Sequence, residues 1–236
     1  MGRHAFLFLA LLAIALIAGC GGDQHRPTGA GPQLTIKEPE FNFGYTSRSV
    51  IVSHAFWLYS TGEDTLRIRQ VKAGCGCTKA PLQRDVLPPG DSTALEVIYT
   101  SSSIPGLVRK TVNVYTNEED TVDSHQLTIR AGIIPWPDSM QNLRVNPYRL
   151  RFQNRGSKAL RVSIENAGDF DYEMKVIACP PELAVDCPEV IRAGTSPELT
   201  IHYVGKPIKA TANKSFTLEA VGADTTRFTM PVLLQQ

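Results

Sequence analysis

The sequence is short of the features that most directly announce a chemistry. It contains no Gly-rich phosphate loop, no Gly-x-Ser-x-Gly elbow, no His-Glu-x-x-His pair and no dinucleotide fingerprint, so the enzyme classes that carry those motifs find no support. Zinc-type Cys-x-x-Cys pairs are missing too, which leaves no diagnostic metal site. Neither sign of charge dominates: Lys+Arg 24 against Asp+Glu 23 gives +1, too little for a global field toward nucleic acid or an anionic membrane. The longest apolar run, Ala5 to Ala18, has fourteen residues, short of the ~20 that cross a bilayer as a helix. Beyond it, no stretch of helical length repeats at the helical period. What is present is a chain of 236 residues, 42% of them hydrophobic, enough to argue against disorder and to suggest two domains of roughly 100 residues each.

Arg3 and His4 precede the apolar run, and Ile17-Ala18-Gly19-Cys20 closes it. That order fits a secretory signal, and its last four positions resemble the lipobox of bacterial lipoproteins. The resemblance implies that residues 1–19 are a signal peptide and that Cys20 is lipidated after cleavage. Two or three acyl chains would hold the protein on a membrane, where a single chain binds only marginally and reversibly. Gly21 follows the cysteine instead of the aspartate that signals inner-membrane retention in many Gram-negative species. The expected address is therefore the cell envelope, with the outer membrane favoured over the inner. Residues 20–32, rich in Gly and Pro, read as a flexible tether spanning about 20 Å.

From Gln33 onward the pattern is strand, turn, strand. Val50 to Tyr59 alternates over ten positions before the turn chemistry of Ser60-Thr61-Gly62-Glu63-Asp64. Leu66 and Ile68 alternate with Arg67 and Arg69, and Leu95, Val97 and Tyr99 follow the Pro88-Pro89-Gly90-Asp91 turn. Val108 to Thr116 and Leu127 to Ile134 complete about seven short strands, the count of a β-sandwich. Pro135-Trp136-Pro137-Asp138 breaks the pattern as a stiff linker, after which it returns. Ala193-Gly194, then Leu199, Ile201 and Tyr203, repeat Pro89-Gly90, then Leu95, Val97 and Tyr99, at a constant offset of 104 residues. The fold class expected is all-β: two tandem immunoglobulin-like β-sandwich domains, residues 33–135 and 136–236, each with its own sheets.

The first domain carries Phe41-Asn42-Phe43-Gly44, His54-Ala55-Phe56, Gly62, Gly74-Cys75-Gly76-Cys77-Thr78, Pro89-Gly90-Asp91 and Lys110 to Asn117 in one register. In this register residues 35–134 resemble a widespread bacterial family of unknown function, mostly exported, with a Cys-Gly-Cys-Thr element on an immunoglobulin-like fold. The family is similar to Hydin and abnormal-spindle domains and, more distantly, to major sperm protein. Its members usually have Asn two residues before the turn glycine. Here Ser60 stands at that site, which implies a weakened turn hydrogen bond, while the second domain has Asn166 at the equivalent position. The second domain lacks the Cys-Gly-Cys-Thr element.

Four cysteines remain, in two sequence pairs. Cys179 and Cys187, with three prolines around them, are candidates for a structural disulfide that closes a loop. Cys75 and Cys77 admit three readings: a disulfide or buried thiols, a redox-active dithiol, or a thiolate site for copper(I) or zinc helped by His54 or His125. A bridge this short closes a small ring that departs easily from relaxed geometry, and Gly76 eases it. His54 is expected to be half-buried and bonded to neighbouring backbone, and Trp57 and Trp136 to pack near domain edges. Arg67, Arg69 and Lys72 share a strand with Leu66 and Ile68, as on a solvated sheet face.

No catalytic residue, cofactor or resident metal is assigned, and no small-molecule substrate or nucleic acid is implied. The function expected is that of a lipid-anchored, non-catalytic envelope protein that binds another envelope protein through strand edges or sandwich-end loops. The Cys75–Thr78 turn would mark the special end of the first domain. The alternative is a thiol-dependent metal-handling or redox lipoprotein using Cys75 and Cys77.

Overall fold

The computed structural model describes residues 31–118, 124–135 and 142–236. The expected signal peptide, Cys20 and most of the expected tether lie outside the described residues, as do Trp136, Pro137 and Asp138 of the expected linker. Among the described residues every regular element is a strand.

The first half contains nine strands: β1 (Leu34–Ile36), β2 (Glu40–Ser47), β3 (Ile51–Ser60), β4 (Leu66–Ala73), β5 (Thr78–Lys79), β6 (Val86–Leu87), β7 (Ser92–Thr100), β8 (Gly106–Thr116) and β9 (His125–Ile134). The second half contains nine more: β10 (Leu143–Asn146), β11 (Leu150–Gln153), β12 (Ala159–Asn166), β13 (Tyr172–Ala178), β14 (Leu183–Asp186), β15 (Val190–Ile191), β16 (Glu198–Tyr203), β17 (Ala212–Val221) and β18 (Thr225–Gln235). One sheet of the first half runs β1-β3-β7-β5, and its counterpart runs β10-β12-β16-β14. The other sheet of the first half runs β2-β9-β8-β4-β6. Its counterpart runs β15-β13-β17-β18, with β11 beside β18. Strand for strand the two halves are one plan repeated. Each half is a β-sandwich of the immunoglobulin-like class, with four strands facing five.

Alternation along the strands fills both interiors. On β3, Val52, Phe56 and Leu58 turn inward while Ala55 and Trp57 stay exposed. On β4 and β13 the inward residues are Leu66, Ile68, Tyr172 and Met174. Phe43, Tyr99, Phe152, Phe216 and Phe228 are among the largest of the fully buried side chains. Such rings contribute about 1.5–3 kcal/mol each by leaving water.

The expectation that each half would keep its own sheets is corrected at one seam. β18 runs parallel to β2 and pairs with it at Phe228 and Tyr45, which joins the two five-stranded sheets into one of ten strands. Gly44 makes this approach possible. Its φ is 65°, and a Cβ there would lie 2.1 Å from the Arg227 carbonyl oxygen, so no side chain fits. Buried polar groups secure the seam. Thr229 Oγ1 donates to the Phe43 carbonyl at 2.6 Å. The Tyr148 hydroxyl donates to the Thr229 carbonyl at 2.6 Å and accepts from the Ser47 N–H at 3.0 Å; burial pushes its pKa up to about 12. Ser215 Oγ accepts from the Ser53 N–H at 2.9 Å and donates to the Ser53 carbonyl at 2.8 Å.

Candidate functional site

Three places combine exposure with unusual chemistry, and the first is the Cys75–Thr78 turn. β4 ends at Ala73, and Gly74 fastens the chain there by donating its N–H to the Thr111 carbonyl at 2.9 Å. The chain then reverses into β5, where the Cys77 carbonyl accepts the Thr100 N–H at 2.9 Å and Thr78 pairs with Tyr99. Between these anchors Cys75 and Cys77 form a disulfide. The disulfide of the first reading is thus present, a state that a redox-active dithiol shares when oxidised. Thr78 is buried, with its hydroxyl 3.5 Å from Cys75 Sγ and 3.8 Å from Cys77 Sγ. Gly76 is exposed, with no atom within 4 Å of where a Cβ would stand.

Ser101 to Pro105 lies beside this turn, and exposes Ile104 (73%) with Leu107 (91%) following on β8. The disulfide sits near the Ile51–Thr100 end of the β3–β7 pair, whereas β1 joins β3 at Ser60. The ten residues of β3 put about 30 Å between the disulfide and the point where the N-terminal strand arrives.

The second place is the outer edge of β13. β15 covers only Tyr172 and Glu173, and the Met174 N–H donates to the Glu189 carbonyl at 2.8 Å. Beyond that point, among the described residues, no strand covers this edge. Lys175, Val176 and Ile177 are exposed in succession, the two apolar ones at 40% and 37%. Strand alternation turns the Val176 backbone to the same side as that of Met174, so an N–H and a carbonyl stand open there. A bulge between Val176 and Ala178 bends the strand.

The third place adjoins the second. A groove of about 540 Å³ lies between the outer face of the β1-β3-β7-β5 sheet and the β13–β14 connection. Trp57, half-exposed at 53%, stands on its wall, opposite Ile177 and Pro180. Lys214 Nζ lies across it, 2.8 Å from Glu96 and 3.8 Å from Glu182, and so ties one half to the other. Buried Glu182 Oε2 has no hydrogen-bond partner.

The remaining sequence candidates fall elsewhere. Cys179 and Cys187 are both free, which corrects the expected disulfide. Cys179 Sγ donates to the Leu183 carbonyl at 3.3 Å, and the whole of β14 then runs between Leu183 and Cys187. Four extended residues span about 13 Å, beyond the ~7 Å Cα separation a disulfide tolerates. Burial, and then the neighbouring carboxylates, raise both thiol pKa values: Glu182 acts on Cys179, and Asp186 on Cys187, which reaches about 11. His54 faces inward and stacks on Phe41 at 3.6 Å between centroids, with Phe56 edge-on at 4.9 Å. Its partners are rings where a backbone group was expected. Burial lowers its pKa to about 4, so it is neutral. His125 Nε2 lies 2.7 Å from Glu118, whose other carboxylate oxygen accepts the Leu34 N–H. Neither histidine joins the cysteines, and among the described residues no three metal-ligating side chains gather. Sequence reasoning missed the β13 edge, and it named Thr78 only as the end of the Cys-Gly-Cys-Thr element, without a role of its own. The only sequence signal for the edge was Val176-Ile177 breaking the alternation that Tyr172, Met174 and the polar residues between them set up.

Residues 34–133 match the model of a family described as a protein of unknown function (DUF1573). Among solved structures, the chain is similar to a protein of unknown function from Porphyromonas gingivalis W83, at 12% identity over 86% of this chain and 99% of that one, with a TM-score of 0.33. It is also similar to the ASH/PapD-like domain 7 of human CEP192, at 8% identity over 56% and 99% of the two chains, with a TM-score of 0.37. A third similarity is to the YadV chaperone, at 13% identity over 84% and 98%, with a TM-score of 0.29. Likenesses at this level assign no residue a role. No curated protein matches the chain in sequence.

Proposed function

We propose that the protein is a lipid-anchored, non-catalytic docking module of the cell envelope, held at the outer membrane through Cys20, which takes an extended segment of another envelope protein onto the open edge of β13. The observation that carries this reading is the difference between two equivalent strands. Past the stretch that β6 covers, β4 presents Arg69 and Lys72, whereas past the stretch that β15 covers, β13 presents Lys175 followed by the apolar pair Val176 and Ile177. Charged side chains are a common guard against strand addition, and an exposed apolar edge invites it. The incoming segment is an apolar-alternating strand. Its backbone bonds to the open Val176 amide and carbonyl, and its side chains reach the groove beside Trp57 and Ile177.

Anchoring follows from the Ile17-Ala18-Gly19-Cys20 element, and the tether gives the sandwiches their distance from the membrane. The test places a photocrosslinking residue at Ile177 and, separately, at Val71 of β4 in intact envelopes. A discrete adduct from position 177 alone, lost when Val176→Lys recreates a charged edge, supports the reading. Equal adducts at both positions, or adducts indifferent to Val176→Lys, overturn it. Mass spectrometry of the mature N-terminus checks the anchor, and an unmodified Cys20 refutes it.

A further inference from the structure

The buried Thr78 hydroxyl has, among the described residues, no hydrogen-bond partner other than the two sulfurs of the Cys75–Cys77 bond. A disulfide sulfur is a weak acceptor and a thiolate a strong one. The hydroxyl is therefore poorly satisfied while the bond is closed and well satisfied once a sulfur carries charge. The surrounding sequence favours that charge. Lys72 and Lys79 flank the turn with no acidic residue between them, and nearby cations stabilise thiolates. The turn also keeps its backbone anchors without the bond, because Gly74 and Cys77 are fastened to Thr111 and Thr100. Cys77 packs against the core, whereas Cys75 does not, and the exposed Gly76 leaves the approach open.

We infer that Cys75 and Cys77 form a thiol–disulfide exchange site that opens and closes in the folded protein, with a protein dithiol of the envelope as its electron donor. A thiolate of the donor attacks Cys75 Sγ and forms a mixed disulfide. The Cys75–Cys77 bond breaks, and its electron pair goes to Cys77 Sγ, whose thiolate accepts the Thr78 O–H. The donor's second thiolate then attacks the donor sulfur of the mixed disulfide and releases Cys75 as a thiolate. Both thiolates take protons from water. The turn gains two electrons and two protons, and the donor leaves as a disulfide. Cys179 and Cys187 take no part, since burial, and then Glu182 and Asp186, disfavour their thiolates.

The test uses the purified full chain in detergent, with dithiothreitol as the donor. Samples are quenched by alkylation and read by mass, and the fold is followed by circular dichroism. The expected result is complete reduction without loss of the β-sheet signal and reoxidation by glutathione disulfide. Reduction should be about tenfold slower in Thr78→Val, by loss of a hydrogen bond to a charged group, and restored in Thr78→Ser. In the reoxidation step, where glutathione disulfide is the oxidant, Cys77→Ser should accumulate a glutathione mixed disulfide on Cys75, because no second thiol is present to displace the glutathione. A bond that opens only when the chain unfolds overturns the inference, as does a folded Thr78→Val that matches the native rate. If Thr78→Val does not fold, the decision rests on Cys77→Ser, and absence of the trapped adduct is then the refuting result.

Discussion

Registering the two halves on each other sets Gly44 of β2 against Gln153 of β11, His54 of β3 against Leu160 of β12, and Ser60 against Asn166. The strand order around these pairs is the same, so each difference isolates one local cause. The second half reads as the simpler version: an aliphatic residue where the first half has a histidine, a satisfied amide where it has a serine. The first half departs from the plan at the seam, at its disulfide, beside the core rings at His54 and in the turn at Ser60. Repetition thus supplies an internal control, since each substitution below either copies one half into the other or tests why the halves must differ.

The largest effect is expected at the seam. β2 lies between β9 and β18, whereas β11 pairs with β18 alone, which is why a glycine is needed in one and not in the other. Gly44→Ala places a Cβ 2.1 Å from the Arg227 carbonyl oxygen at a φ of 65°. Left-handed strain and overpacking together cost about 4 kcal/mol. Denaturant unfolding should show that loss, with Gln153→Ala within about 0.5 kcal/mol of the native chain, as for an exposed site. A Gly44→Ala chain as stable as the native one would remove the close approach as the reason for the glycine.

The second effect depends on pH. His54 sits neutral between Phe41 and Phe56, its pKa lowered by burial to about 4 from the ordinary histidine value of 6.5. The unfolded chain binds this proton first as pH falls, so the stabilisation is complete above pH 6.5 and is lost on the way down to 4. The difference amounts to about 3 kcal/mol. His54→Leu copies the residue of the second half and should flatten unfolding stability across that window. Persistence of the full slope in His54→Leu would assign it to other groups. Glu118 contributes in the same direction only at lower pH. Burial raises its pKa, but bonds from Thr116, Leu34 and His125 outweigh that and hold it below its ordinary value.

These differences also mark what the sequence could disclose. β3 was visible because its alternation runs through ten residues, and the repeat was visible because Gly90 and Gly194, both at positive φ, hold the same turn 104 residues apart. The two-residue strands β5, β6 and β15 show no period and escaped notice. So did the parallel pairs β2–β9 and β11–β18, whose partners lie about 80 to 90 residues apart along the chain and leave no local trace. Phe41-Asn42-Phe43-Gly44 was legible as a motif, but the purpose of its glycine was not, since Arg227 belongs to the other half. At the candidate site the Cys75–Thr78 turn stood out, but the place of the Thr78 hydroxyl beside both sulfurs did not, because it depends on burial. The Cys179–Cys187 pair misled because proximity in sequence gave no hint of the extended strand between them.

The smallest effect concerns the one site where the resemblance foresaw a defect. Asn166 is fully buried, donates to the carbonyls of Phe170 at 2.8 Å and Ile191 at 3.3 Å, and accepts the Gly168 N–H at 3.0 Å. Ser60 occupies the same turn, with the same backbone bonds: its N–H reaches Asp91 as that of Asn166 reaches Thr195, and its carbonyl accepts Gly90 as that of Asn166 accepts Gly194. Yet its hydroxyl is buried without a partner. The side chain is one amide too short to span the turn. Ser60→Asn should reach the carbonyls of Asp64 and Leu87 and the N–H of Gly62, the counterparts of the groups around Asn166. Satisfying a buried polar site in this way contributes about 1 kcal/mol, offset in part by the larger volume placed in a packed turn. Denaturant titration should therefore show a modest gain for Ser60→Asn. For Asn166→Ser it should show a loss of about 2 kcal/mol, because that change leaves two carbonyls and an N–H without their partner. Equal and opposite changes would mean that the two turns are interchangeable. A loss in both would mean that the first half has repacked around its serine, and the equivalence would then hold for the backbone alone.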